Sequence, residues 1–125
     1  MASLNVNSLL AKIDEIRLLA KNKKIDILIV NETKIDDKVE DQLIAIDDYS
    51  LKRCDRNRNG GGVALYVKNT VNFKPREDFP NKSLELVCIE VEPKNSLPFI
   101  ILGWYWPPNS PVSCFEFFEE NLRYF

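Results

Sequence analysis

Uninterrupted apolar stretches in this chain predict strands that are covered on both faces. Residues 27–30 are four consecutive aliphatic side chains, and residues 99–106 are apolar or aromatic around Gly103. Residues 84–92 are also apolar on both faces in the middle of the segment. Because a strand that faces solvent on one side alternates apolar and polar residues, these segments are typical of the interior of a sheet.

Apolar residues at helical spacing predict an amphipathic helix near the start of the chain. They recur every three or four positions over residues 9 to about 21, and Ser8 is a candidate N-cap. A short strand over residues 4–7 precedes this helix, and a strand over residues 26–31 follows it. The strand–helix–strand order predicts a right-handed crossover between parallel strands.

The later segments predict a hairpin and several shorter elements. Residues 49–54 and 63–67 are typical of strands, and the Asn-Gly step with further glycines in residues 55–62 predicts a tight turn between them. Consecutive glycines beside a strand can also indicate that another group approaches the backbone closely. The remaining predictions are a short helix or irregular connection over 36–48, a short strand over 71–74, and a C-terminal helix with Phe115, Phe118 and Leu122 on its apolar face.

Together these elements predict an α/β fold, with a mixed β-sheet flanked by helices on one face. Two or three helices can cover only one face of such a sheet. The strands that are apolar on both faces would then leave an exposed apolar surface, which is typical of an interface. We therefore expect the isolated chain to self-associate through this exposed sheet face, to bind a hydrophobic-surface dye, or to fail to fold cooperatively.

Composition narrows the possible functions. The 125 residues fit one domain, and the formal net charge of -2 gives no overall basic character. Histidine is absent, which excludes Ser-His or Cys-His nucleophilic sites and a histidine general base within this chain. The three cysteines are too widely spaced for a zinc site and predict reduced thiols in an intracellular protein. Neither a secretory signal nor a membrane span is predicted.

Polar residues follow the buried strand at 27–30 directly. Glu32 stands just after this strand, at the sheet edge where α/β proteins commonly bind ligands. A carboxylate held by a rigid strand suits a hard metal ion such as Mg²⁺, so Glu32 is the leading candidate metal ligand. The alternative is a helix-capping or solvated turn residue.

Short motifs in a fixed order connect this edge to a known family. They are Leu4-Asn5-Val6-Asn7-Ser8-Leu9, Val30-Asn31-Glu32-Thr33-Lys34, Asp55-Arg56 before Gly60-Gly61-Gly62-Val63-Ala64-Leu65-Tyr66-Val67, and Trp104-Tyr105-Trp106-Pro107-Pro108-Asn109-Ser110. This set resembles the endonuclease/exonuclease/phosphatase superfamily, and in particular the endonuclease domains of non-long-terminal-repeat retrotransposons. The resemblance covers nearly the whole chain. It implies half of a fold in which two sheets pack together with helices outside.

The resemblance also implies site residues. Glu32 would bind Mg²⁺ or Mn²⁺, while Asn5 and Asn7 would lie in the catalytic site near the metal and the attacking water. Tyr105 would contact the scissile phosphate. Basic residues at Lys34, Arg56 and Arg58 would face the nucleic acid. Considered without the resemblance, the asparagines could be turn residues and the tyrosine a core aromatic.

Departures from the family pattern qualify this assignment. Family members continue with a Gly-Asp-Phe-Asn motif and a Ser-Asp-His motif, and neither is present in residues 1–125. Trp106 occupies a position that is commonly arginine in the resembling sequences. We therefore expect this chain to be a partial domain, the N-terminal half truncated before the later catalytic motifs, and to be inactive or nearly so. Whether the chain itself is an enzyme stays open.

The resemblance implies partners as well as chemistry. The complete domain would bind and nick DNA in the nucleus, and a reverse transcriptase domain would follow it in the parent protein. Two alternatives differ from this hypothesis. The chain could be a non-catalytic interaction module, or it could belong to a superfamily member that acts on RNA ends or on phospholipid head groups.

Overall fold

The computed structural model describes residues 1–77 and 85–105. One helix and seven strands are described, and they are β1 (Ala2–Asn5), α1 (Leu9–Lys23), β2 (Ile27–Asn31), β3 (Tyr49–Cys54), β4 (Val63–Lys68), β5 (Phe73–Pro75), β6 (Glu85–Val91) and β7 (Phe99–Tyr105). A short 3₁₀ helix, Asp41–Leu43, interrupts the connection between β2 and β3. Within the described ranges, no helix has both the length and the apolar character needed to cross a bilayer.

Four strands form a mixed sheet in the order β1-β2-β4-β3. Strands β1 and β2 are parallel and are connected by α1, as the strand–helix–strand pattern predicts. The other two pairings are antiparallel, and β3 and β4 form the predicted hairpin around the glycine-rich turn. The α/β class and the mixed sheet are therefore confirmed.

Helix α1 begins without the side-chain cap that the sequence suggested. Ser8 occupies the N-cap position with φ of 104°, but its side chain makes no capping hydrogen bond. The prediction of Ser8 as a capping side chain is therefore wrong. Its backbone amide instead donates to the carbonyl of Glu32, so the strand-end segment takes over the role of the cap. Lys24 ends the helix in the left-handed conformation.

One face of this sheet packs against α1 and the connection between β2 and β3. Leu28 and Val30 point to this side, where they join Leu9 and Ile16 of the helix and Ile44 of the connection in a buried cluster. The alternation of a strand then sends Ile27, Ile29 and Asn31 to the opposite face.

That opposite face is covered by a second sheet. Strands β5, β6 and β7 form an antiparallel sheet of their own. Val87 and Ile89 of β6 and Ile101 of β7 pack on Ile29 and Leu65 in a second buried cluster. The expectation that this face of the mixed sheet is exposed is therefore wrong. Strands β6 and β7, which were expected in the mixed sheet, belong to the second sheet that covers it. The reason given for self-association disappears with it.

Two sequence predictions fall outside the described residues. The helix with Phe115, Phe118 and Leu122 on its apolar face lies there, and so does Trp106, which was predicted as the last residue of a strand.

Candidate functional site

The parallel pairing of β1 and β2 brings the predicted site residues together. Asn5 is paired with Asn31 in the ladder, and the pairing continues beyond the strands. The amide of Val6 donates to the carbonyl of Asn31 at 3.0 Å, and the amide of Ser8 donates to the carbonyl of Glu32 at 2.9 Å. The two asparagines of the first motif and the carboxylate of the second therefore occupy one end of the sheet.

The backbone at this end is conformationally unusual. Positive φ angles are rare for residues other than glycine, and they cost free energy that the surrounding structure must supply. Among the described residues, four of the six non-glycine residues with positive φ are found here, namely Asn7 (47°), Ser8 (104°), Glu32 (57°) and Lys34 (51°). Such clusters occur preferentially at functional sites.

A basic side chain lies within this cluster. The ammonium group of Lys34 donates a hydrogen bond to the side-chain oxygen Oδ1 of Asn7. Asn5 and Asn7 are exposed, whereas Glu32 and Lys34 are half-buried. The end of the sheet therefore presents one carboxylate, two amides and one ammonium group within a short stretch of surface. This combination can bind a cation on the carboxylate and an anion on the ammonium group.

The glycine turn supports the segment that carries Glu32. The amide of Lys34 donates to the carbonyl of Gly61 at 3.0 Å, and the amide of Thr33 lies 3.4 Å from the carbonyl of Gly62. A Cβ atom on Gly62 would lie 2.2 Å from Oγ1 of Thr33, so no other residue fits this position without displacement. The glycine segment is therefore the predicted hairpin turn, and the close approach of another group to its backbone, which the glycines also allowed, is present as well.

The structure also brings an acidic residue to this place that sequence reasoning did not select. Glu85 begins β6, and only 13% of its side chain is exposed. Its oxygen Oε1 lies 3.6 Å from Nε of Arg56. Burial raises the pKa of Glu85, while the positive charge of Arg56 opposes that rise. The signal in the sequence was a single acidic residue at the start of an apolar strand.

The remaining predicted residues lie around the same end of the molecule. Tyr105 is the last residue of β7 and is paired with Glu85 in the second sheet. It therefore belongs to the second sheet, whereas Asn5 and Glu32 lie at the end of the first. Arg56 and Arg58 are exposed on the hairpin turn, and Arg56 is ion-paired with Glu85.

The donor atoms at this end fit a hard divalent cation in part. Glu32 supplies a carboxylate and Asn5 an amide oxygen, and both are ligand types that Mg²⁺ and Mn²⁺ accept. Oδ1 of Asn31 is buried and has no hydrogen-bond partner among the described residues. In residues 1–77 and 85–105, no group of three or more His, Cys, Asp and Glu side chains could hold a metal. A cation here would keep most of its water, which Mg²⁺ does readily.

Comparison with known proteins agrees with this architecture. The chain is similar to the endonuclease domain of TRAS1, a telomere-specific non-LTR retrotransposon, at 13% identity and a TM-score of 0.68 over 97% of this chain. An AP endonuclease from Archaeoglobus fulgidus matches at 17% identity with a TM-score of 0.63 over 98% of the chain. The chain spans 51% and 46% of these two structures, respectively.

Sequence comparison points the same way. A probable RNA-directed DNA polymerase from transposon BS of Drosophila melanogaster is 30% identical over 88 residues, which are 70% of this chain and 10% of that protein. The model of the Endonuclease/Exonuclease/phosphatase family matches residues 2–123. The resemblance seen in the motifs is thus confirmed, and the chain belongs to the endonuclease/exonuclease/phosphatase family.

Proposed function

We propose that this chain carries the N-terminal part of the site of a metal-dependent phosphodiester hydrolase, of the DNA endonuclease type found in retrotransposons. The observation that carries the proposal is the convergence of Asn5, Asn7, Glu32 and Lys34 on one strained strand end. Family membership and the retrotransposon relatives support it independently.

Each side chain at this end has a chemical role in the proposal. Glu32 holds Mg²⁺ or Mn²⁺, and the bound ion neutralises the charge that develops on phosphate oxygens during hydrolysis. The amide of Asn5 donates a hydrogen bond to a phosphate oxygen, and Tyr105 at the end of β7 contacts the same phosphate. Lys34 attracts the nucleic-acid backbone, and its hydrogen bond to Asn7 fixes the position of the ammonium group.

DNA contacts extend from this end to the hairpin turn. Arg58 is exposed in the turn and is the better candidate for a phosphate contact. Arg56 has 46% of its side chain exposed, but its guanidinium group also pairs with Glu85. We propose that a reverse transcriptase domain follows in the parent protein, which is supported by the similarity to a probable RNA-directed DNA polymerase from transposon BS. We also propose that the parent protein acts on DNA in the nucleus.

The chain by itself is proposed to be inactive or nearly so. Its 125 residues contain no histidine. Among the described residues, Glu32 is the one carboxylate that lies beside the predicted site residues at the ends of β1 and β2. A single metal-binding carboxylate with amide oxygens leaves no base to accept a proton from the attacking water. We therefore expect weak metal binding and no turnover.

The experiment combines a metal titration with a nicking assay. Mn²⁺ added to the ¹⁵N-labelled chain should broaden the amide signals of Asn5, Ser8 and Lys34 first, because these residues surround Glu32. Glu32→Gln should abolish the selective broadening, whereas Glu15→Gln on the exposed face of α1 should leave it unchanged. Supercoiled plasmid in Mg²⁺ should stay intact.

Two results would count against the proposal. Selective broadening that persists in Glu32→Gln would remove Glu32 as the metal ligand. Nicking that disappears in Glu32→Gln but not in Glu15→Gln would show that the chain is active on its own.

A further inference from the structure

The Glu85 carboxylate is withdrawn from solvent at the start of β6. Both of its oxygens are inaccessible to solvent, and the groups that favour its charged form are Arg56 and the backbone amide of Gly62. The buried residues that follow in β6 are the apolar Val87, Cys88 and Ile89. Removing a carboxylate from water is unfavourable unless neighbouring groups compensate for the lost hydration. An arrangement of this kind calls for an explanation in terms of what the carboxylate touches.

Glu85 touches the glycine turn. A Cβ atom on Gly61 would lie 2.7 Å from Oε1 and 3.0 Å from Oε2 of Glu85, and 2.5 Å from Cδ of Arg56. Gly61 therefore lies between the acidic side chain and the aliphatic stem of the arginine that is paired with it. Gly61 has a φ of 71°, a conformation that residues with a side chain rarely adopt. The two neighbouring side chains also leave no room for a Cβ atom.

The other side of the turn carries the segment after Glu32. The carbonyl of Gly61 accepts the amide of Lys34 at 3.0 Å. Both Glu32 and Lys34 have positive φ, so this segment needs an external support to keep its conformation. The contacts run from Glu85 and Arg56 to Gly61, then to Lys34, and so to Glu32.

We infer that Glu85, paired with Arg56, is a positioning residue that holds Glu32 in its metal-binding conformation through the backbone of Gly61. The inference rests on the proposed metal role of Glu32. Residues that orient a metal ligand without touching the metal commonly raise metal affinity by roughly 10- to 100-fold. The buried carboxylate is then retained for the geometry of the site, although it costs stability.

The test compares variants of the full chain by Mn²⁺ titration and by amide hydrogen exchange. Glu85→Ala should weaken Mn²⁺ binding about tenfold and speed exchange selectively at Thr33 and Lys34. Glu85→Gln keeps the size and the contact with Gly61, so it should restore both properties nearly to the wild-type level. Glu90→Gln is the matched control, because Glu90 lies on the same strand but pairs with Lys74 and Arg76.

Arg56→Ala provides a second route in case Glu85→Ala does not fold. It leaves Glu85 without its cation and should reproduce the selective loss. Unchanged Mn²⁺ affinity together with protected Thr33 and Lys34 amides in either alanine variant would overturn the inference. A uniform rise in exchange over the whole chain, with no extra effect at Lys34, would also overturn it, because it would indicate a general loss of stability.

The two proposals fail in different ways. Absence of selective Mn²⁺ broadening in the wild-type chain would contradict the proposed function. The exchange rates at Thr33 and Lys34 would then still show whether Glu85 holds the segment that follows Glu32.

Discussion

Gly62 has a φ of 94° and lies against the side chain of Thr33. Replacing Gly62 by alanine should destabilise the protein by about 2–3 kcal/mol, because the new methyl group meets Oγ1 of Thr33 in a backbone conformation that alanine avoids. Thr33 is fully buried, so its hydroxyl cannot move away easily. Urea denaturation followed by circular dichroism gives the free energy of unfolding for the comparison.

Gly60 is the matched control for this substitution. A Cβ atom on Gly60 meets nothing within 4 Å, and its φ is not among the positive values. Gly60→Ala should therefore change stability by no more than about 0.5 kcal/mol. Equal effects at the two glycines would contradict the close contact with Thr33.

At the scale of single residues, some of the site follows from the sequence and some does not. Glu32 could be selected because it comes directly after an uninterrupted apolar strand, and that is a local signal. Glu85 could not be selected, because its contact with Gly61 joins residues far apart in sequence and in different sheets. The left-handed conformation of Glu32, with φ of 57°, is likewise not indicated by the neighbouring residues in the sequence.

Among the elements, the connection between β2 and β3 is held by one half-buried arginine. Arg53 of β3 donates from Nη1 to the carbonyl of Val39 at 2.7 Å and to Asp41 at 2.9 Å. It donates from Nη2 to the carbonyl of Asp36 at 2.9 Å and to Asp55 at 2.7 Å. The hydrogen bonds to Asp55 are the main reason that the pKa of Arg53 is raised. One side chain thus ties the connection to the sheet.

Arg53→Lys should destabilise the protein by about 2–3 kcal/mol, although the charge is kept. A single ammonium group cannot reproduce the planar fork that reaches both carbonyls and both carboxylates. Arg58→Lys in the exposed turn is the control and should have no measurable effect on the midpoint of thermal unfolding. Similar midpoints for the two lysine variants would show that the hydrogen bonds of Arg53 contribute little.

Helix and strand positions were predictable to within a few residues, whereas the pairing of strands was not. The predicted strand at 49–54 coincides with β3, and the helix predicted over 9–21 is α1. Apolar runs show that β6 and β7 are buried, but not which strands they join. Strands β5, β6 and β7 are consecutive in the chain and pair with one another, but the pattern of residues does not specify that they form a sheet separate from the first.

In the molecule as a whole, stability depends on the contact between the two sheets. Ile89 is fully buried in the cluster between them, together with Leu65 and Ile101. Ile89→Ala should lower the free energy of unfolding by about 2–5 kcal/mol, because the smaller side chain leaves a cavity between the sheets that neither sheet can easily fill. Urea unfolding monitored by tryptophan fluorescence measures the change.

Leu97 is the control for this effect, since 85% of its side chain is exposed. Leu97→Ala should leave the denaturant midpoint unchanged. If Ile89→Ala were equally silent, the two sheets would not form a common core, and the second cluster could not contribute to the stability of the first sheet.

The parallel pairing of β1 and β2 has a consequence for the order of folding. The end that holds Glu32 forms only when residues 5–8, 31–34 and 61–62 have met, and residue 85 must join them from the other sheet. Each meeting closes a loop of the unfolded chain, and the loss of chain entropy precedes the gain from the contacts. The hairpin of β3 and β4 is local and can form early. We therefore expect this end to be the last part of the described fold to be completed, so a ligand that binds there should stabilise the chain only at the end of folding.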